Sequence, residues 1–180
     1  MAITKIQTVI VGSGGAASID FTSISGSFTD LLVVLSGRST EAVRGNNVFC
    51  KFNNDGAAGV SSRWLNGNGS TASASTDSGG SSGVLIRLAS DANQETASTF
   101  SSVQIYIPNY AGSTNKSLSA ETATEDNFST AYQAIVTGTW FSTAAINRVT
   151  LTPQANTWLQ HSSATLYGIT KGSSGGVTVS

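Results

Sequence analysis

The sequence predicts an all-β fold, an antiparallel β-sandwich of jelly-roll type with about eight to eleven strands. Three observations carry this reading. Short runs rich in Val, Ile, Leu, Phe and Thr recur along the chain, separated by Gly, Asn, Asp and Ser. Strand-like runs do not alternate with helical ones, which excludes a parallel α/β sheet. Charged residues make up only 11% of the chain, and abundant Ser and Thr take the solvent-facing positions of strands. Disorder does not explain that composition, because 39% of the residues are hydrophobic and the net charge is only −1.

The elements follow in order. Ile3 to Val11 is the first strand, ended by Gly12-Ser13-Gly14-Gly15. Ser18 to Ile24 places Ile19, Phe21 and Ile24 toward the core. Leu31 to Leu35 is continuously apolar, a pattern suited to a strand covered on both faces. Val48 to Phe52 ends at Asn53-Asn54-Asp55-Gly56, whose Asp-Gly pair signals a hairpin. After Val60 to Leu65, the polar stretch Asn66 to Gly83 reads as an extended loop. Val84 to Leu88 is a strand, and Ser90 to Ser98 is the one segment suited to a short helix, with Asp91 as its cap. Phe100 to Ile107 alternates, with Val103, Ile105 and Ile107 on one face and Gln104 and Tyr106 on the other. Lys116 to Thr122, Tyr132 to Phe141, Ile146 to Leu151 and Ala164 to Ile169 complete the set. No fixed-period repeat appears, which excludes propellers and solenoids.

A chain of 180 residues with this organisation is one domain, residues 1–170, followed by a Gly/Ser-rich tail, 171–180. It is long enough to bury roughly 70% of its unfolded surface without a disulfide or a metal. The lone cysteine, Cys50, lies in an apolar run and reads as a buried small hydrophobe. Nine scattered Lys and Arg make no phosphate-binding patch, so nucleic acid is not an expected partner. No apolar run reaches membrane-spanning length. The opening residues lack the pattern of a signal peptide, so the protein is expected to be made and used without secretion.

Catalytic chemistry finds little support. The single histidine, His161, has no Gly-x-Ser-x-Gly elbow to serve and reads as structural. Asp77, Asp91, Glu95, Glu121, Glu125 and Asp126 are the carboxylates from which a glycosidase pair would come, and most lie in polar, loop-like stretches. Glu121, Glu125, Asp126 and Asn127 lack the alternating spacing of a calcium loop. Gly12 to Gly15 lacks the Lys-Ser/Thr ending of a phosphate loop. No enzymatic activity, metal or cofactor is therefore expected. Among the aromatic residues, Trp140, Phe141 and Tyr167 lie in strand-like runs and are assigned to packing. Trp64 and Tyr110 adjoin polar loops and are the candidate ligand or partner contacts.

The stretch Gln104 to Ser113 with Lys116-Ser117, together with Gly138-Thr139-Trp140, Ala144-Ala145-Ile146 and Ala164 to Ile169, resembles small jelly-roll virion proteins of tailed bacteriophages. The likeness covers most of residues 1–170, and its motifs are structural. It implies a homo-oligomeric virion-surface protein, most often a trimer, made in the host cytoplasm. Two roles follow: a capsid decoration or cement protein bound to the major capsid protein, or a tail fibre or appendage module bound to host polysaccharide. Strand-like sequence from Ile3, without heptads or a shaft, favours the first. Residues 171–180 are expected to be pinned by a neighbouring subunit or by the capsid.

Overall fold

The computed structural model of the chain describes residues 1–78, 82–129 and 131–171. The expected pinning of the tail concerns residues 172–180 and so lies outside the described residues. Twelve strands are present among the described residues: β1 (Ala2–Ile10), β2 (Ile19–Phe21), β3 (Asp30–Ser36), β4 (Asn46–Phe52), β5 (Val60–Gly67), β6 (Ala72–Ser78), β7 (Val84–Ser90), β8 (Ser102–Pro108), β9 (Lys116–Ala123), β10 (Gln133–Trp140), β11 (Val149–Pro153) and β12 (Ser163–Thr170). An eight-stranded sheet has the order β1-β12-β3-β8-β9-β10-β5-β6, and a four-stranded sheet the order β2-β11-β4-β7. Every pairing between named strands is antiparallel. The all-β, sandwich-like class is as the sequence predicts, with one strand more than the upper expectation.

Alternation explains how the strands pack. Val103, Ile105 and Ile107 of β8, Leu118 and Ala120 of β9, and Val48, Cys50 and Phe52 of β4 all point between the sheets and are buried. Ile19, Phe21 and Ile24 join them there. Two of the strand glycines mark close approaches. A Cβ on Gly138 of β10 would stand 2.3 Å from Cγ1 of Val84 in β7, and one on Gly168 of β12 would stand 2.3 Å from the Phe28 ring. These close approaches set the sheet separation near β7 and seal the β2–β3 connection over β12.

Several local expectations are corrected. Asn66 to Gly83 is not a loop over its first part, because β5 runs to Gly67 and pairs with β6 from Ser61↔Ser78 to Gly67↔Ala72. The turn between them is organised by Asn68, whose Oδ1 accepts from the Ser70 and Thr71 amides at 3.2 and 2.9 Å. β6 is an edge strand exposed on both faces, so burial left no apolar alternation to read. Leu31 to Leu35 is covered on one face only: Leu31, Val33 and Leu35 are buried, whereas Val34 is 39% exposed. Asp55-Gly56 does make a turn, with Asp55 Oδ1 accepting from the Ala57 and Ala58 amides. That turn carries the chain from one sheet to the other, however, and β4 and β5 are not hairpin partners. Ser90 to Ser98 forms no helix. Ser90 ends β7, and Asp91 bridges to Arg38.

That last region explains itself through buried polar groups. The Arg38 guanidinium donates to the carbonyls of Glu95, Thr96 and Thr99, and so ties the 95–101 segment to the end of β3. The Glu95 carboxylate accepts from the amides of Gly45 and Ala92. These long-range partners outcompete a local helix.

Candidate functional site

The eight-stranded sheet has one face against the small sheet, and the register defines what the other face presents. One row runs Leu32–Tyr106–Ser119–Thr137–Arg63 across β3, β8, β9, β10 and β5. The next runs Val34–Gln104–Glu121–Ile135–Leu65 across the same strands. The face is thus mostly neutral, with hydroxyls, amides and three solvent-exposed aliphatic side chains, Val34, Leu65 and Ile135. Two clefts open on it. One of about 810 Å³ is lined by residues that include Leu65, Asn66, Gln104, Glu121, Gln133 and Ile135. The other, about 560 Å³, includes Arg63, Tyr106, Ser119, Thr137 and Phe141.

Trp64 and Tyr110 are not brought together. Trp64 stands on β5 opposite Val136 and Ser75, with its side chain on the inner face. The Arg87 guanidinium covers its ring, 4.6 Å from the centroid. Tyr110, the other candidate contact, lies past the end of β8 and is 0% exposed. Its hydroxyl donates to the Ser25 carbonyl and accepts from the Phe28 amide at 3.3 Å, so the ring clamps the β2–β3 connection. Of the strand aromatics assigned to packing, Trp140 is buried, but Phe141 is 52% exposed because it falls just past β10, and Tyr167 stands half-buried on the outer face.

The charged candidates divide into three groups. Asp91, Glu95, Glu125 and Asp126 gather at one end of the sandwich. Asp91 Oδ1 accepts from the Glu125 amide at 3.3 Å, and Asp126 Oδ1 accepts from the Thr96 hydroxyl at 2.9 Å. Burial, helped by the Glu95 charge, pushes the Asp91 carboxyl up to about 6. Burial also raises Glu95, with the Asp126 charge adding to it. Asp126 is held below the usual carboxylate range: burial opposes this, but hydrogen bonds from Arg44 and Thr96 prevail. Glu121 stands apart on the outer face of β9, and Asp77 on β6 opposite Ser62. The four oxygen donors considered for calcium are therefore split. Among the described residues no group of three or more His, Cys, Asp or Glu is placed to hold a metal ion.

His161 is exposed in a turn, its backbone at φ 73° and its amide donating to the Val11 carbonyl at 3.0 Å. Burial pushes the Cys50 thiol up to about 12, as suits a packed hydrophobe. Sequence reasoning missed Lys116, which is buried and whose Nζ donates to the carbonyls of Gly112, Thr114 and Thr143 at 2.7, 2.5 and 3.3 Å. Burial lowers its pKa. It also missed Arg38, since a single basic residue in a polar run carries no mark of burial.

Comparison with known families, with curated proteins and with solved structures gives no significant match. The fold defines a class, an all-β two-sheet protein with an open, nearly neutral outer face.

Proposed function

We propose that the protein is a non-enzymatic structural subunit of a tailed-phage virion, a capsid decoration protein of jelly-roll type that binds and stabilises the shell. The observation that carries the assembly role is the unequal width of the sheets. Eight strands face four, and β1 and β6 are the edges of the larger sheet, whose outer backbone groups meet no neighbouring strand among the described residues. β1 is exposed along most of its length, with Ile3 and Ile10 among its exposed side chains, and β6 is exposed as well. Long exposed edges favour pairing or packing with another chain.

Strand order supports the jelly-roll reading. With the β5–β6 and β9–β10 hairpins set aside, β1-β12-β3-β8 faces β2-β11-β4-β7. The chain then changes sheet at every step except from β4 to β7, which are partners in the small sheet. Such alternation supports a jelly-roll path, a fold common in viral capsid proteins. The two hairpins widen one sheet. The neutral outer face agrees with close packing among many copies, and a homotrimer on the major capsid protein is the proposed arrangement.

Cementing needs no chemistry. A ligand that binds only the assembled shell stabilises it by about 2.7 kcal/mol per site at a hundredfold excess over Kd. The test is cosedimentation with phage shells lacking the protein, beside a pull-down on host envelope polysaccharide. Stoichiometric shell binding with a raised disruption temperature supports cementing. Polysaccharide binding without shell binding replaces it with the fibre or appendage role.

A further inference from the structure

The larger cleft on the outer face is built differently from the rest of the surface. One side of it is aliphatic: Leu65 of β5 and Ile135 of β10 are directly opposed and are 51% and 55% exposed. Beside them in the same row stand Gln104 and Glu121, themselves directly opposed across β8 and β9, and Gln133 lies at the start of β10. Among the described residues none of these three side chains makes a hydrogen bond or an ion pair. Several carboxylates elsewhere are engaged: Asp20 by Arg148 and Thr150, Asp30 by Tyr106 and Lys171, Asp126 by Arg44 and Thr96. Asn66 borders the cleft through its backbone position only, since its side chain shares the inner face of β5 with Trp64.

We propose that this cleft binds a neutral oligosaccharide. Its volume, about 810 Å³, falls within the usual range for small-ligand sites. A sugar hydroxyl donates and accepts at once. The Gln104 and Gln133 amides offer both functions, and Glu121 offers acceptors. The C–H face of a pyranose would lie on Leu65 and Ile135. Among the described residues no Lys or Arg lines the cleft and Glu121 is its only charge, which disfavours phosphate and other anions. The inference does not rest on the virion reading, and the site is distinct from Trp64 and Tyr110.

The test is a titration of the isotope-labelled full chain with maltotriose, cellotriose and chitotriose, followed by NMR. The expected result is shift changes concentrated at residues 65–72, 102–104, 121–123 and 131–135 with at least one of the three. Gln104→Ala combined with Glu121→Ala should weaken binding by roughly tenfold or more, with the melting temperature unchanged because both side chains are exposed. Glu121→Gln retains an acceptor and should retain most of the affinity. Absence of shifts with all three sugars at about 10 mM, shifts elsewhere, or affinity indifferent to the double variant would each overturn the proposal. So would preferential binding of an oligolysine peptide that Glu121→Gln abolishes, since that identifies a cation site. Sugar binding without shell binding would refute the cementing role and leave this inference standing; shell binding without sugar binding would do the reverse.

Discussion

The guanidinium of Arg87 lies over the indole of Trp64, with its carbon 4.6 Å from the ring centroid. The pair joins β7 of the small sheet to β5 of the large one, and it turns an aromatic residue next to polar sequence into part of the packing between sheets. Trp64 Nε1 and Arg87 Nε are both buried without hydrogen-bond partners, and the cation–π contact joins the two side chains.

Arg87→Ala should cost about 0.5–2 kcal/mol in chemical unfolding. It should also shift the tryptophan emission to the red. Trp140 and Trp158 are buried away from this contact, so the shift reports Trp64. Unchanged emission would show that Arg87 does not cover the ring in solution.

Asp91 makes stability depend on pH in an unusual direction for a carboxylate. Its folded value of about 6 lies above the ordinary 3.8. Its contribution is therefore full below pH 3.8 and is lost as pH rises through about 6. The whole change is on the order of 3 kcal/mol. Asp20, Asp30 and Asp126 shift the other way, so their stabilisation fades at low pH. Asp91→Asn isolates the effect. It should leave stability unchanged near pH 3.5 and raise it above about pH 7, read from urea midpoints across the range. A variant less stable than the parent at neutral pH would count against the assignment.

Lys116 takes the place of a bound cation among three carbonyls that join the β8–β9 loop to the segment after β10. Lys116→Met keeps the stem but leaves those carbonyls without their shared donor. The expected loss is about 3 kcal/mol, with a lowered thermal midpoint. A loss below about 0.5 kcal/mol would mean that water replaces the ammonium freely.

Gly138→Ala tests the contact between β10 and β7. The added methyl would overlap Val84 Cγ1, and overpacking of this kind costs about 1–3 kcal/mol. Val84→Ala in the same chain should restore part of the loss, because it removes the methyls in the way. Failure of the second substitution to help would place the strain in the backbone instead.

Cys50 should resist a soluble thiol reagent in the native protein and react fully after unfolding. It is buried and its thiol titrates at about 12, so thiolate is scarce at neutral pH. Rapid native-state labelling would reveal opening of β4.

The sequence by itself determined the class of the protein and the faces of most strands. Val103, Ile105 and Ile107 alternate because one side of β8 meets the other sheet, and that period survives any detail of topology. The burial of Cys50 was legible from the apolar run around it, and the turn at Asn53 to Gly56 from its own residues. β6 was not legible, since a strand exposed on both faces carries no hydrophobic period and exists through its backbone pairing with β5. The absence of a helix at Ser90 to Ser98 was decided by Arg38, more than fifty residues away in sequence. Only the tertiary structure could bring Gln104, Glu121 and Gln133 to one cleft, because they come from three strands that register alone places side by side. It also decided that Tyr110 is buried and that Trp64 lies under Arg87. Exposure depends on what packs against a residue, and the polar loops beside both residues in sequence do not reveal that.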